Sequence, residues 1–289
     1  MIQQIPRLAV ISSFAGFGKI SITAALPIIS VMQVQACPLP TSILSSHLAY
    51  SPCHKADFTE HMQEYLNAWN DIGVSFDGLY LGYVGNPAQL DIIKHLLDST
   101  SPNHSGMTVP SVSRLLNPDA KIIIDPVMGD HGKAYSTVTQ SQVEKMKHLI
   151  QKAHLITPNL TEACMLTDMS YHSDIWSDEE LLEICHKLDP KHYKQIVITG
   201  IHEGNNFRNY LWDKGKSSSI CIPSAGASRP GTGDMFASIL SANALKGKDF
   251  TASVREATDF IAACIRDSEQ ANIPIKEGVL FEQNLSRLL

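Results

Sequence analysis

The segment Arg229-Pro230-Gly231-Thr232-Gly233-Asp234 runs directly into Met235-Phe236-Ala237-Ser238-Ile239-Leu240, the start of an apolar-faced helix. Two glycines let a backbone approach a ligand closely. The free N–H groups of a first helical turn, with the positive end of the helix dipole, attract anions. The segment therefore reads as a phosphate-handling turn that carries its own carboxylate. A carboxylate repels phosphate, so Asp234 is suited to face an attacking hydroxyl and act as a general base. The same letters also spell an Asp helix cap preceded by glycine, which would require no chemistry.

Two further blocks carry carboxylates. Asp125-Pro126-Val127-Met128-Gly129-Asp130 follows an apolar run. Its hard oxygen donors suit magnesium, which keeps several waters and takes one or two protein carboxylates plus substrate phosphates; an ordinary polar turn is the alternative. Thr157-Pro158-Asn159-Leu160-Thr161-Glu162 opens a helix, and Asn159 with Glu162 three residues later makes a capping box. Facing the same edge as Asp125, Asn159 and Glu162 could also orient a metal-bound water. Thr199-Gly200 offers a hydroxyl and an unhindered backbone nearby. Gly16-Phe17-Gly18-Lys19-Ile20-Ser21 superficially resembles a P-loop. That pattern needs Ser or Thr directly after Gly18-Lys19, and position 20 is Ile. This turn is better suited to closing over a small planar substrate, and His47 is the one histidine with the placement of a substrate contact.

These groups need elements to hold them. Short apolar runs recur at Leu8–Ile11, Leu79–Leu81, Lys121–Asp125, His154–Thr157 and Gln195–Thr199. Such runs fit strands buried on both faces of a parallel sheet, with polar residues emerging at the carboxyl edge where ligands bind. Asp125, Thr157 and Thr199 then share one rim. Phe58, Met62, Tyr65, Leu66 and Trp69 form a helical apolar stripe, as do Val254, Thr258, Ile261 and Ile265; the helix opened by Asp234 stops near Gly247. Tyr210-Leu211-Trp212 and Ile220-Cys221-Ile222 flank a turn at Asp213–Lys216, predicting a hairpin over Arg208 to Ile222 and an antiparallel edge. Ser99 to Pro110 reads as a surface loop. No repeat or linker divides the chain, so residues 1–289 are expected to form one α/β domain with helices on both faces of a doubly wound sheet.

Composition narrows the partners. The chain has 289 residues, 44% of them hydrophobic, with 29 acidic against 23 basic residues and a net charge of -6. No basic run suits nucleic acid or an anionic membrane, so any phosphate site must be local. Cys37, Cys53, Cys164, Cys185, Cys221 and Cys264 show no zinc spacing and suit reduced thiols. Neither a signal peptide nor a membrane span is apparent. A cytoplasmic protein with small-molecule partners is expected.

In this order the blocks resemble the ribokinase-like superfamily, in its vitamin-kinase branch, and most closely the pyridoxal/pyridoxine (vitamin B6) kinase family. The likeness runs from Ser12-Ser13-Phe14-Ala15-Gly16-Phe17-Gly18 through Pro38-Leu39-Pro40-Thr41, Gly82-Tyr83-Val84-Gly85, the Asp125 block and the Thr157 block to Gly231-Thr232-Gly233-Asp234. It implies transfer of the γ-phosphoryl group of ATP, with Mg2+, to the 5′-hydroxymethyl of pyridoxine, pyridoxal or pyridoxamine. Asp234 then matches the catalytic base, and the Gly231, Thr232 and Gly233 amides match the anion hole. Asp125 and Glu162, with Asn159, match the magnesium and phosphate region, while Thr199 and Gly200 lie on the nucleotide side. The hairpin lies where the family covers adenine, and Ser12 or Ser13, Ile43 and His47 match the ring pocket. The family also implies a homodimer.

Several departures bear on the pocket. Leu48 follows His47 where many B6 kinases carry Thr, and the Asp130–Ser136 loop is shorter than in the animal-type enzymes. The nearest rival is hydroxymethylpyrimidine (phosphate) kinase of thiamine synthesis, whose usual signature has Cys in place of Asp234. Sugar kinases of the superfamily start with a Gly-Gly pair and an Asn that this chain lacks. A non-catalytic ligand sensor on the same fold would have no need for a general base.

Overall fold

The five apolar runs lie side by side in one nine-stranded sheet of the computed structural model, which describes residues 5–98 and 115–289. The expected loop at Ser99–Pro110 lies outside the described residues. Along the chain the elements are β1 (Arg7–Ala15), α1 (Ser21–Val31), β2 (Gln35–Leu44), β3 (Lys55–Asp57), α2 (Thr59–Asp71), β4 (Phe76–Leu81), α3 (Pro87–Asp98), β5 (Leu116–Ile124), the short pair β6 (Gly129–Asp130) and β7 (Lys133–Ala134), and α4 (Gln140–Leu149). There follow β8 (Leu155–Ile156), α5 (Leu160–Thr167), α6 (Asp178–Leu188), β9 (Gln195–Glu203), β10 (Asn206–Asp213), β11 (Lys216–Pro223), α7 (Thr232–Leu245) and α8 (Phe250–Gln270).

The sheet order is β11-β10-β9-β8-β5-β4-β1-β2-β3, with the central strands from β9 to β2 all parallel. Alternate residues of β1 feed two cores, as a strand covered on both faces requires. Ala9 and Ile11 pack toward Met62, Leu66 and the apolar residues of α3 to α6. Leu8 and Val10 pack toward α1, α7 and α8. The stripes read from the sequence lie where expected: Met62 and Leu66 are buried, with Phe58, Tyr65 and Trp69 packed against them. Val254 is buried too, flanked by Ile261 and Ile265.

The edge hairpin at β10 and β11 is antiparallel and turns at Lys214-Gly215, as expected. The opposite edge holds two strands that periodicity did not disclose: β2, whose Pro38 and Pro40 break a strand pattern, and the three-residue antiparallel β3. Gln35 donates its N–H to Pro6 O at 2.8 Å on the β1 side, so alternation turns the two proline nitrogens outward. There β3 begins only opposite Ser42–Leu44. The strand ending predicted at Thr199 is also corrected. β9 continues through Gly200 to Glu203, supported by β10 after its pairing with β8 ends. Two flaps, β2–β3 and β9–β11, thus extend past the rim formed by the short central strands.

Candidate active site

Asp125 follows the last residue of β5 and Thr157 the last of β8, and the two meet: Thr157 Oγ1 donates to Asp125 Oδ1 at 3.1 Å. Asn159 bridges to Thr199 in parallel fashion, and Thr199 N–H donates to Pro158 O at 2.9 Å. Asp125, Thr157, Asn159 and Thr199 therefore share the rim that the parallel sheet requires.

The capping box is present and does more than start α5. Asn159 Oδ1 accepts the Glu162 N–H at 3.0 Å, and Glu162 Oε2 accepts the Asn159 N–H at 2.9 Å. Such a cap contributes about 1 kcal/mol. Glu162 Oε1 also accepts the Met128 N–H at 3.0 Å, and Asn159 Nδ2 donates to Gly129 O at 2.8 Å. One helix start thereby fixes the turn that carries Asp125.

Charge is crowded here. Burial, then the charge of Asp234, pushes the Asp125 carboxyl up, against a hydrogen bond from Thr157. Burial, then the charge of Asp125, pushes up Glu162, against the amides of Asn159, Met128 and Gly129. Two buried, mutually repelling carboxylates offer the hard oxygen donors that a magnesium ion takes while keeping most of its waters. Among the described residues no three His, Cys, Asp or Glu are grouped to hold a metal alone, so substrate phosphates and water would complete the shell.

Asp234 does not open its helix. α7 begins at Thr232 with Gly231 as N-cap, no side chain caps that end, and Asp234 stands within the first turn. Met235 N–H makes a 3.0 Å bond back to Gly231 O, leaving the preceding amides of the turn directed outward. Burial raises the Asp234 carboxyl to about 6, opposed by the backbone amide of Ser21. Sequence patterns gave no hint of Ser21, because its role depends on the backbone of α1 meeting α7 across the sheet face.

The two glycines of this turn have different tasks. Gly231 sits at φ 87, and a Cβ there would lie 1.9 Å from Lys19 O, so this position is a close backbone crossing. Gly233 has nothing within 4 Å of its Cβ position and is the one that leaves room for a ligand. Thr232 Oγ1 donates to Arg229 O at 2.9 Å. Arg229 is buried and donates to Ile273 O at 2.9 Å, Gly278 O at 3.0 Å and Glu269 Oε1 at 2.9 Å, binding the turn to the C-terminal segment. Lys19 donates to Val279 O at 3.1 Å and pairs with Glu282 at 2.8 Å, consistent with the rejection of a P-loop.

The residues assigned to a ring pocket lie toward the ends of β1 and β2 and in the turn after β2. Ser12 and Ser13 are both buried: Ser12 Oγ accepts the Tyr83 N–H at 3.0 Å, and Ser13 Oγ donates to Ser21 Oγ at 3.0 Å. Ile43 is exposed on β2 beside Phe14 of β1. His47 is held from both ring nitrogens. Its Nδ1 accepts the Ala49 N–H at 3.2 Å and its Nε2 donates to Lys276 O at 2.6 Å, so both ring nitrogens are engaged within the chain. The ring packs on Tyr50 and over Gly18, tying the first glycine turn to the C-terminal segment. Tyr135 was not singled out from the sequence. It follows β7, and partial burial together with the charges of Glu162, Asp130, Asp125 and Asp234 raises its phenol.

The model of the phosphomethylpyrimidine kinase family matches residues 105–279. A candidate pyridoxal kinase of Schizosaccharomyces pombe is 26% identical over 243 residues, which span 81% of this chain and 66% of that protein's length. Hydroxymethylpyrimidine/phosphomethylpyrimidine kinase of Aquifex aeolicus is 25% identical over 269 residues, 91% of this chain and 89% of its own. Among solved structures, a candidate phosphomethylpyrimidine kinase of Bacteroides thetaiotaomicron is 32% identical with a TM-score of 0.90, covering 100% of this chain and 95% of that one. An orthorhombic crystal form of it, described as containing pyridoxal, gives a TM-score of 0.88 at 32% identity over 99% and 96% of the two chains.

Proposed function

This chain belongs to the phosphomethylpyrimidine kinase family, kinases that act on an alcohol group, and we propose that it transfers the γ-phosphoryl group of ATP to the 5′-hydroxymethyl of pyridoxine, pyridoxal or pyridoxamine. The observation that carries this reading is Asp234 itself, a half-buried carboxylate raised to about 6 in the uncapped first turn of α7. A base poised near neutral pH removes a hydroxyl proton effectively. The amides of Gly231, Thr232 and Gly233 face the transferring phosphoryl and stabilise its charge. Asp125 and Glu162, with Asn159, would hold magnesium, which would supply positive charge to neutralise the phosphates. Thr199 and Gly200 contact the nucleotide under the β9–β11 flap. Ser12 or Ser13 and Ile43 receive the ring, and His47 holds the turn above it.

Pyrimidine kinases of this superfamily usually carry Cys where this chain has Asp234. The Bacteroides relative, 32% identical and described as a candidate pyrimidine kinase, was crystallised with pyridoxal. Both favour a B6 vitamer over hydroxymethylpyrimidine, which is kept as the second reading because the Aquifex relative acts on it by name. The proposed enzyme works as a homodimer in the cytoplasm, without nucleic acid or membrane partners.

ADP release with ATP and magnesium, supplying each vitamer and hydroxymethylpyrimidine separately, tests the proposal. Turnover on a vitamer is expected. Turnover on the pyrimidine alone would move the enzyme to thiamine synthesis.

A further inference from the structure

Tyr80 lies on β4 under α7 with no exposed surface, yet its hydroxyl has no hydrogen-bond partner among the described residues. A buried hydroxyl left unpaired costs about 1–3 kcal/mol, and in native proteins ordered water commonly supplies the missing partner. The surroundings of Tyr80 are polar enough for that. A Cβ on Gly82 would fall 3.4 Å from Tyr80 Oη and 2.8 Å from Ser12 Oγ, so two hydroxyls converge on the bare face of this glycine. β4 packs against α7, whose first turn carries Asp234, and the negative charges of Asp125 and Asp234 both act on the phenol. Ser12 Oγ already accepts the Tyr83 amide and retains its proton to donate.

We propose that Tyr80 is a positioning residue for phosphoryl transfer: with Ser12 it fixes a water beneath Asp234, and through that water it orients the Asp234 carboxylate toward the substrate hydroxyl. This rests on Asp234 acting as the base, whichever heteroaromatic alcohol is the substrate. Misplacing a base by a fraction of an ångström lowers kcat and leaves ground-state binding largely intact.

Tyr80→Phe keeps the ring and its packing, so it isolates the hydroxyl. Steady-state kinetics are measured on whichever alcohol the wild type turns over, together with thermal unfolding and a crystal structure of the wild type. The expected result is a roughly tenfold lower kcat, KM for ATP and alcohol within twofold, and an unchanged Tm. A water peak is expected within hydrogen-bond distance of both Tyr80 Oη and Ser12 Oγ. A kcat within twofold of wild type, a parallel fall in kcat and Tm with raised KM, or a dry slot would each overturn the assignment. Failure of the vitamer proposal would show separately, as a wild type inactive on all three vitamers.

Discussion

Replacing Asp234 by Asn should inactivate the enzyme and stabilise the protein at the same time. Burial lifts this carboxyl from 3.8 to about 6. A displacement of about two on the pH scale corresponds to about 3 kcal/mol. For a carboxylate with a raised native pKa the sign is unfavourable: folding takes up a proton, so stability is highest at low pH and falls as pH rises from about 4 to about 6. The full cost is present at pH 8 and roughly half remains at pH 5. Asp234 is not wholly enclosed, so solvent screening reduces the gain from Asn to about 1–2 kcal/mol, or about 2–5 °C in Tm at pH 8. Removing this charge also relieves Asp125, whose carboxyl Asp234 helps push up. Turnover should fall by about 100-fold or more, because Asn cannot accept the proton. Paired thermal melts at pH 5 and pH 8 with single-turnover ADP release form the assay. A Tm gain that is equal at both pH values, or missing at pH 8, would refute the burial argument. Activity within a few-fold of wild type would reduce Asp234 to a polar residue of the helix start.

Other perturbations separate architecture from chemistry. Gly231→Ala should fail to fold or lose many degrees of Tm, since its Cβ would strike Lys19 O in a left-handed turn; a normal melt would contradict the crossing. Gly233→Ala meets nothing and should melt within about 2 °C of wild type, while turnover drops as the methyl enters the phosphoryl space; unchanged turnover would move the ligand elsewhere. Glu162→Gln should raise the magnesium concentration needed for half-maximal rate. It should also cost about 1–3 kcal/mol, because its NH2 must face either the Met128 or the Asn159 amide; an unchanged magnesium titration would remove Glu162 from the metal side. Arg229→Met should lower Tm by stranding the carbonyls of Ile273 and Gly278, and an unaltered melt would mean those bonds carry no net stability.

What the sequence determined by itself was whatever depends on local periodicity and turn chemistry. The five buried strands, the α2 and α8 stripes, the β10–β11 hairpin and the Asn159–Glu162 cap all follow from neighbours within a few residues. The parallel sheet also made the rim predictable, since each strand end delivers its next polar residue to the same edge, as at Asp125 and Thr157. Tertiary structure decided what requires two distant segments to meet. The crossing of Gly231 over Lys19, the Ser21 amide near Asp234, the grip of Lys276 O on His47, and the convergence of Tyr80 and Ser12 on Gly82 leave no periodic trace. β2 escaped notice for a related reason: its prolines are tolerated only because their nitrogens face a side where β3 does not reach. The charges of Asp125, Glu162 and Asp234 were legible as letters. Their shifts arise from burial, and at Asp125 and Glu162 also from a neighbouring carboxylate, conditions that exist only once the sheet and the first turns of α5 and α7 have brought the three together.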